Sequence, residues 1–441
     1  MKKTYYLASL GCAKNTVDSA SMAKLLENDG YRATEEPSNA SVLIVNTCGF
    51  IETARNESLA VLNELAKNKR TGQRLIAAGC MTQRYREMIT TQVKGIDGFI
   101  GTRRWMDILD LMAKLRQNPK TVQYHLPDDE KVGLDEKGVL RASVQGGSAY
   151  LKIADGCRRP CAFCAIPLIK GTTVSRPMDV IVKEAELLQE NGIQELILIA
   201  QDTTDYGYDL GMKDGLVNLL EKMLPRIPAI PWVRLLYSYP GYVSDRLIDL
   251  MSESQQILHY FDIPLQHADR GILEKMKRPS NIDWVYGTIE KMRRRIPDLA
   301  IRSTFIVGYP GETEKEFRVL LKFLEEMKLD HVGAFTFSFE AGTASEPLGD
   351  PVPGQEKHER LQRLMELQES ISLEKNQSLI GRKLDVFVEG QGDGISVGRS
   401  YRDAPEIDGL VIVEGNLEIG KIASVQITGA MVHDLTGIIA Q

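Results

Sequence analysis

Three cysteines lie close together in the middle of the chain, at Cys157, Cys161 and Cys164, and are called here the loop triad. Three thiolates do not complete a four-ligand site. In a cube of four iron atoms they would hold three irons and leave the fourth open to a substrate or cofactor. A structural zinc site closes with four ligands, but the next histidine is His259. A third interpretation, half-buried thiols in a turn, fits poorly with a loop rich in Gly, Pro and Arg.

The other three cysteines, Cys12, Cys48 and Cys80, are called here the dispersed triad. Each follows a predicted strand and stands next to a glycine. Taken singly, each would be interpreted as a buried, inert thiol. However, the carboxyl ends of parallel strands share one edge of the sheet, where open α/β sheets bind ligands, so the three thiols are expected to converge. The six cysteines therefore predict two [4Fe-4S] clusters, each with three protein ligands and one open iron.

Alternating short apolar strands and amphipathic helices must position the dispersed triad. Residues 1–118 contain predicted strands at 4–11, 41–46 and 74–78, each followed by a helix. This pattern predicts an N-terminal α/β domain with a doubly wound parallel sheet. The periodicity fades in residues 119–145, which contain several Pro, Gly and charged residues and are expected to form a linker or a hairpin.

The strand-helix pattern resumes in residues 146–375, which contain six predicted strands at 150–154, 195–201, 232–238, 260–264, 301–307 and 331–339. Six such units are fewer than the eight of a closed barrel. In residues 376–441 the period changes to two. Five short strands separated by Gly-rich turns predict a small antiparallel β-barrel there.

The bulk composition excludes several classes of protein. The longest apolar runs are far shorter than the ~20 residues that cross a bilayer. The apolar stretch at residues 5–10 is shorter than the core of a signal peptide. The net charge of −6 argues against strong general binding to nucleic acid. We therefore expect a cytoplasmic protein, in which six cysteines indicate metal binding or catalysis rather than disulfides.

The loop triad also carries a family resemblance. With Phe163 directly before its last cysteine, it matches the C-x3-C-x-aromatic-C signature of the radical S-adenosylmethionine (SAM) superfamily. That superfamily has a partial barrel, which implies a partial (β/α)6 barrel for residues 146–375. With the dispersed triad before this core and a small barrel after it, almost the whole chain resembles the methylthiotransferase family. The terminal barrel is similar to the TRAM module of RNA-modifying proteins.

Members of this family modify either adenosine in tRNA or an aspartate of a small-subunit ribosomal protein. The sequence Ser-Leu-Gly-Cys-Ala-Lys-Asn at residues 9–15 resembles the ribosomal-protein branch. The tRNA branch usually has a start of the type Tyr-Gly-Cys-Gln-Met-Asn. Ala13 and Ala20 stand where the family commonly has Pro and Glu. The resemblance therefore implies a ribosomal-protein substrate, with tRNA adenosine methylthiolation as one alternative and a non-catalytic, metal-stabilised scaffold that binds the ribosome as another.

The charge of the C-terminal segment bears on this choice. Residues 376–441 contain five Lys and Arg and nine Asp and Glu, a net charge of −4. A module that grips tRNA should be basic, because contacts with phosphate supply most of its affinity. An acidic barrel fits a basic protein partner instead, although the same charge would also serve solubility. We therefore expect no strong binding of nucleic acid.

The resemblance also implies a division of labour between the two triads. SAM would bind the open iron of the loop-triad cluster and be cleaved there to methionine and a 5′-deoxyadenosyl radical. The cluster on the dispersed triad would deliver sulfur to a carbon radical at the β-carbon of the aspartate, and a second SAM would supply the methyl group. A hydrogen on that carbon has no accessible acidity, so no catalytic acid or base is expected.

Four residues at predicted strand ends are candidates for SAM contacts. Gln201 and Asp202 could donate or accept hydrogen bonds. Gly308 and Gly311 would let the backbone approach a ligand closely, although Pro310-Gly311 is also typical of a plain turn.

Overall fold

The structure is a computed structural model that describes residues 3–133 and 137–440. Residues 1–2, 134–136 and 441, which fall in the predicted N-terminal domain, linker and C-terminal barrel, lie outside the described residues. In the described part of the chain, none of the helices is both long enough and apolar enough to cross a membrane.

The N-terminal part is a six-stranded parallel sheet with helices on both faces, which confirms the predicted doubly wound sheet. Its strands are β1 (Thr4–Ser9), β2 (Arg32–Ala33), β3 (Val42–Thr47), β4 (Arg74–Gly79), β5 (Gly98–Gly101) and β6 (Gln123–His125). Its helices are α1 (Ala13–Asn28), α2 (Glu52–Asn68), α3 (Cys80–Gln92) and α4 (Ile108–Gln117). The strand order is β2-β1-β3-β4-β5-β6, so the three predicted strands are the adjacent central ones.

Alternation along the central strands explains the two helical layers. Ile44 and Ile76 pack on the face that α1 and α4 cover. Their neighbours Leu43 and Leu75 pack on the opposite face, against α2 and α3. Both faces of a strand are thus apolar, as in sheets with helices on each side.

The segment 119–145, predicted to form a linker or a hairpin, contributes a strand to each of two sheets. Its first strand, β6, pairs with β5 and completes the N-terminal sheet. Its second strand, β7 (Ala142–Gln145), pairs antiparallel with β8 (Ser148–Lys152) at the start of the core. Strand pairing satisfies backbone groups that a free linker would leave to water.

The core contains six parallel strands with helices between them, which confirms the partial (β/α)6 barrel. After β8 come the short strands β9 (Ala154–Asp155) and β10 (Val174–Ser175), which pair with each other. The other parallel strands are β11 (Glu195–Ile199), β12 (Trp232–Leu235), β13 (Tyr260–Asp262), β14 (Ala300–Val307) and β15 (His331–Thr336). Their helices are α5 (Ile166–Lys170), α6 (Met178–Glu190), α7 (Gly215–Met223), α8 (Asp245–Glu253), α9 (Arg270–Lys275), α10 (Ile282–Arg295), α11 (Glu314–Met327) and α12 (Gly354–Gln377). The strands form two sheets, β7-β8-β11-β12 and β13-β14-β15, joined by a bridge between Val233 and Ile257.

The C-terminal part is a closed five-stranded barrel. Its strands are β16 (Lys383–Gly392), β17 (Ile395–Ser400), β18 (Val411–Glu414), β19 (Ile422–Ala430) and β20 (Leu435–Ile439). The prediction of a wholly antiparallel barrel is wrong for one pair, because β18 and β20 run parallel. An odd number of strands cannot alternate in direction around a closed ring, so at least one neighbouring pair must be parallel.

A buried carboxylate fixes the C-terminal barrel on the core. Glu195 on β11 accepts a hydrogen bond from Arg234 of the core at 2.7 Å and one from Arg399 of the barrel at 2.7 Å. Burial would raise the pKa of Glu195, but the two guanidinium groups outweigh burial and lower it to about 2. The barrel is therefore held to the core by a charged contact that persists across the physiological pH range.

Candidate functional site

The loop triad lies between β9 and α5, in a loop whose backbone is tightly held. Gly156 has a φ of +73°, and a Cβ at this position would lie 2.1 Å from the carbonyl oxygen of Thr172. The backbone N–H of Cys157 donates to the carbonyl of Gly171 at 3.0 Å. The loop therefore requires glycine at its start, and the three thiols are presented by a short, fixed segment.

Two of the thiols of this loop are poor acids in the absence of a metal. Burial raises the pKa of Cys157 to about 11 and that of Cys164 to about 12, and Cys161 adds to both effects. A bound metal reverses this preference, because coordination requires and stabilises the thiolate. Arg278 donates to the sulfur of Cys161 at 3.4 Å, and its guanidinium lies 4.2 Å from the ring centroid of Tyr239. A cation is thus already placed beside the position where negative charge would develop.

The structure gives the two polar SAM candidates different surroundings. Asp202 is buried and accepts a hydrogen bond from Arg159, next to the loop triad, at 2.6 Å. Gln201 donates to Asp155 at 3.3 Å, while its side-chain oxygen is buried and accepts no hydrogen bond from any residue that the structure describes. An unsatisfied buried acceptor invites a ligand donor, so Gln201 fits a cofactor contact better than Asp202 does. SAM contacts by either residue stay a prediction.

The two glycine candidates each have a packing reason to be glycine. Gly308 has a φ of +72°, and a Cβ there would lie 2.4 Å from the side chain of Lys357. Gly311 has a φ of +86°, and a Cβ there would lie 2.3 Å from the ammonium of Lys275. The backbone N–H of Gly308 also donates to Glu312 at 3.0 Å. Their contact with SAM likewise stays a prediction.

The dispersed triad is assembled by the register of three neighbouring strands. Cys12 follows β1, Cys48 follows β3, and Cys80 begins α3 directly after β4. In the parallel pairing, Ser9 lies opposite Asn46 and Thr47 opposite Gly79, so the three strands end at one edge. The sheet therefore places all three cysteines at its carboxyl end, as predicted from the strand pattern.

Two of these cysteines approach each other across a glycine. Gly11 has a φ of +91°, and a Cβ there would lie 2.8 Å from the Cβ and 2.9 Å from the sulfur of Cys48. Burial raises the pKa of Cys80 to about 12 and also raises that of Cys48; Cys12 adds to both shifts, and Cys48 adds to that of Cys80. The thiols are therefore close enough to repel one another as thiolates, which is the condition that a shared metal centre relieves.

Asn15 ties this edge together. Its amide donates to the carbonyls of Leu10 at 2.7 Å and Thr47 at 3.2 Å, which lie at the ends of β1 and β3. Its side-chain oxygen lies 3.9 Å from the sulfur of Cys80. Sequence reasoning did not single out Asn15. The feature of the sequence that could have identified Asn15 is its position three residues after Cys12, within the opening motif.

The two triads lie on either side of one interface. Cys80 packs against Ala165 and Ile169. Ala165 directly follows the last cysteine of the loop triad, and Ile169 lies on α5. The carboxyl edge of the N-terminal sheet therefore contacts the segment that carries the loop triad. This arrangement places the two triads next to each other.

A buried charge cluster crosses the same interface. Asp18 of α1 accepts from Arg141 at 2.5 Å, from Lys152 at 2.5 Å and from Lys170 at 3.2 Å. Asp155, two residues before the loop triad, shares these cations and lies 2.7 Å from Lys170. Burial opposes ionisation of Asp18, but the surrounding cations outweigh it and hold its pKa below the ordinary value. The helix that follows Cys12 is thereby locked to the core.

A second polar contact holds the other helices of the N-terminal sheet. Glu340, which follows β15 and is 3% exposed, accepts from Arg55 at 2.7 Å, Arg84 at 2.9 Å and the hydroxyl of Tyr85 at 2.8 Å. Arg55 lies on α2 after Cys48, and the other two donors lie on α3 after Cys80. Each helix that follows a cysteine of the dispersed triad therefore has its own polar contact with the core.

Lys14, two residues after Cys12, reaches across the interface to the end of β12. Its ammonium lies 2.9 Å from the ring centroid of Tyr237. Burial lowers the pKa of Lys14 to about 8, against the opposing effect of Cys12 and Asp262. Tyr237 has a φ of +64°, and its backbone N–H donates to Asp262 at 2.9 Å. A strained residue thus presents an aromatic face to a cation at the junction of the two parts.

The donor sets fit a cluster better than a single ion. Among residues 3–133 and 137–440, no three His, Cys, Asp or Glu side chains are arranged to hold one metal ion. In a [4Fe-4S] cluster each thiolate binds a different iron, so the sulfurs surround the cluster instead of converging on one point.

Comparison with known proteins supports each part of the chain. Residues 4–101 match the model of the uncharacterized protein family UPF0004, residues 151–324 that of the radical SAM superfamily, and residues 380–439 that of the TRAM domain.

Similar sequences cover nearly all of the chain. A ribosomal protein uS12 methylthiotransferase RimO from Chloroflexus aurantiacus is 45% identical over 98% of this chain and 99% of its own length. A protein of the same name from Roseiflexus sp. is 42% identical over 98% of this chain and 96% of its own length.

Among solved structures, the radical SAM methyltransferase TsrM from Kitasatospora setae, with cobalamin and a [4Fe-4S] cluster bound, superposes with a TM-score of 0.56. It is 14% identical, and the match covers 90% of this chain and 81% of that chain. At this identity the likeness supports the fold alone.

Proposed function

The chain belongs to the family of the ribosomal protein uS12 methylthiotransferases RimO, and we propose that it inserts a methylthio group at the β-carbon of an aspartate of uS12. It is a radical SAM methylthiotransferase, so the alternative of a non-catalytic scaffold is set aside. The placement of two cysteine triads on either side of one interface carries the proposal. Since the substrate is a ribosomal protein, we place the enzyme in the cytoplasm.

The cofactors of this family are SAM and [4Fe-4S] chemistry, and we propose two clusters, one on each triad. When bound, they supply a carbon-centred radical, sulfur and a methyl group. The chain supplies thiolate ligands, a buried setting and a fixed separation between its two halves. Abstraction of hydrogen from an unactivated carbon needs no acid or base.

Polar side chains around the loop triad fix its position. Arg278 and Tyr239 cover Cys161, while Arg159 is held by Asp202 beside the same loop. The side-chain oxygen of Gln201 is left as a buried acceptor for a donor on the bound cofactor. A closed, preorganised pocket protects a radical from competing hydrogen donors.

Iron analysis after anaerobic reconstitution tests the number of clusters. We expect about eight iron atoms per wild-type chain and about four after replacement of all three cysteines of either triad by alanine. A wild-type content of about four, or zinc in place of iron, would contradict two clusters.

Mass spectrometry of two substrates from one reaction tests the substrate. Reconstituted enzyme with SAM, sulfide and reductant is given uS12 and tRNA together. We expect uS12 to gain the mass of one methylthio group in place of one hydrogen, on an aspartate, while the tRNA stays unmodified. Methylthiolated adenosine with unmodified uS12 would overturn the substrate and leave the chemistry standing.

The exposed surface of the C-terminal barrel supports the protein substrate. Its exposed acidic residues are Asp385, Glu389, Asp393, Glu406, Glu414 and Glu418, and its exposed basic residues are Arg382, Lys383 and Lys421. Burial removes one acidic and two basic residues from the surface, namely Asp403, Arg399 and Arg402. The acidic excess is therefore a property of the exposed surface, which favours a basic protein partner over tRNA.

A further inference from the structure

The ammonium of Lys14 stands where the two halves of the site meet. Lys14 lies on the first turn of α1, two residues after Cys12, and is half-buried. Its ammonium lies over the ring of Tyr237, at 2.9 Å from the centroid. Tyr237 follows β12, and its carbonyl accepts from the backbone N–H of Thr203, the residue after Asp202. Lys14 is therefore within reach of both the dispersed triad and the segment predicted to contact SAM.

This ammonium has no anionic partner within the described ranges. From residue 3 to 133 and from 137 to 440, no carboxylate forms an ion pair with Lys14 and no group accepts a hydrogen bond from it. The two carboxylates that interact electrostatically with Lys14 have other partners. Asp262 lies 3.4 Å from Arg302 and accepts from the backbone of Tyr237, and Asp155 belongs to the buried charge cluster.

Other cations around the site are already engaged. Arg159 is paired with Asp202, and Arg302 with Asp262 and Asp408. Arg278 donates to the sulfur of Cys161 and to the carbonyl of Pro264. Lys14 differs from them because, within the part of the chain that the structure describes, its ammonium pairs with an aromatic face instead of a carboxylate, and such a contact is worth little when it is partly exposed to water.

We propose that the Lys14 ammonium binds the side-chain carboxylate of the substrate aspartate, an inference that rests on the proposed function. The carboxyl carbon of aspartate is bonded directly to the β-carbon. Holding that carboxylate therefore fixes the reacting carbon within one bond of the anchored group. Because residues 12 and 14 can be no more than about 7 Å apart along the backbone, the β-carbon is held near the dispersed triad.

The pairing would also lower the free-energy cost of moving the substrate carboxylate out of water. A carboxylate that enters a water-poor pocket without a partner is strongly disfavoured. Tyr237 contacts the cation through its ring face, and a carboxylate would neutralise the charge that this contact leaves uncompensated. The enzyme would then select aspartate over asparagine, because the amide cannot neutralise the cation.

A double-mutant cycle between enzyme and substrate tests the pairing. The enzyme variants are Lys14→Met, which keeps the length of the side chain without its charge, and Lys14→Arg, which keeps the charge. The matched control is Lys24→Met, an exposed lysine on the same helix. The substrates are uS12 and its variant with asparagine at the modified aspartate. The readouts are the Kd of each substrate for reconstituted enzyme and the rate of methylthiolation.

We expect wild type to prefer the aspartate substrate by on the order of 100-fold, the loss typical when one partner of a close charge pair is removed. Lys14→Met should lose most of this preference and bind the asparagine substrate about as well as wild type does, so that the two changes are non-additive. Lys14→Arg should retain most of the preference, and Lys24→Met all of it.

Three results would overturn the assignment. The first is an undiminished preference for aspartate in Lys14→Met. The second is weaker binding of SAM alone by that variant, which would assign the ammonium to the cofactor carboxylate. The third is loss of iron in both Lys14 variants, which would make the residue structural. If wild type modifies neither form of uS12, the proposed function itself fails, which is a distinguishable result.

Discussion

The two cysteine triads offer the same three thiols and reach that arrangement by different means. The loop triad occupies eight consecutive residues and is shaped by local contacts, such as the close approach of Gly156 to Thr172. The dispersed triad spans residues 12 to 80 and depends on the register of three strands and on the approach of Gly11 to Cys48. The loop triad therefore depends on one short segment, whereas the dispersed triad depends on the fold of the whole N-terminal sheet.

This difference predicts unequal sensitivity to distant change. A loop held by its own backbone tolerates loosening elsewhere, whereas strand ends stay together only while the sheet and its interface are intact. The buried charge cluster and the contacts of Glu340 both join helices of the N-terminal sheet to the core. Perturbing them should affect the dispersed triad first.

Single cysteine replacements should give the largest effects and the clearest separation. Cys157→Ala is expected to abolish reductive SAM cleavage, because we propose that SAM binds at the loop triad. Cys80→Ala should retain most of that cleavage and abolish sulfur insertion, because it removes a ligand of the other cluster. The measurements are release of 5′-deoxyadenosine under dithionite and mass spectrometry of uS12. Complete loss of cleavage in a folded Cys80→Ala protein would refute the division of labour.

The two glycines provide a second, nearly as large, test. Gly11→Ala should remove the iron of the dispersed triad alone, and Gly156→Ala that of the loop triad alone, because each new Cβ would clash with the neighbouring chain. The matched control is Gly30→Ala, which has a φ of +84° but open space around it. It should cost about 1 kcal/mol of backbone strain and keep all of the iron. Equal iron loss in all three variants would show that strain, not contact, is responsible.

The difference between the triads also explains what could be predicted from sequence. The spacing of the loop triad matched a known signature. The dispersed triad was predicted because each cysteine adjoins a glycine after an apolar strand, and the parallel sheet then places the strand ends together. The functional role of all six cysteines stays a prediction. The parallel pairing of β18 and β20 was missed because strand periodicity carries no direction.

The interface residues were not predictable in the same way. Asp18 pairs with Arg141, Lys152 and Lys170, which are 123, 134 and 152 residues away in sequence. No local period signals such partners, since a charged residue on an amphipathic helix usually faces solvent. Lys14 and Asn15 are a different case. Both lie within the opening motif, but the sequence did not reveal which residues they contact.

Asp18→Asn should be the most damaging change at the interface. It leaves three buried cations with Asp155 as their remaining carboxylate, a loss of about 3–5 kcal/mol in the free energy of unfolding. The matched control is Asp29→Asn, a partly exposed carboxylate beyond the end of the same helix, which should change stability by less than about 1 kcal/mol. Chemical denaturation of both variants makes the comparison.

The same residue predicts a dependence on pH. Because the folded pKa of Asp18 is lowered, its contribution is fully present above the ordinary aspartate pKa and is lost as the pH falls through the lowered value. Wild type should therefore lose stability in acid more steeply than Asp18→Asn. Parallel acid profiles for the two proteins would show that the charge cluster does not stabilise the interface.

Glu340→Gln should have a smaller effect on stability than Asp18→Asn and the most informative effect on activity. Glutamine keeps the volume and an acceptor, but two guanidinium groups, of Arg55 and Arg84, lose their countercharge. We expect a loss of about 1–3 kcal/mol, less than for Asp18 because Arg55 is partly exposed and can turn to water. The helices after Cys48 and Cys80 would then be held less firmly against the core.

Looser docking should uncouple the two triads without removing either. Both should keep their iron, so SAM cleavage continues, but more 5′-deoxyadenosine should form for each methylthio group inserted. The ratio of these two products, measured in one reaction, is the readout. Glu346→Gln is the matched control and should keep the wild-type ratio, because Glu346 is an exposed glutamate six residues further along whose side chain accepts from the backbone of Gly342. An unchanged ratio in Glu340→Gln would mean that the charge cluster around Asp18 alone sets the distance between the triads, and that the contact of α2 and α3 with the core only adds stability.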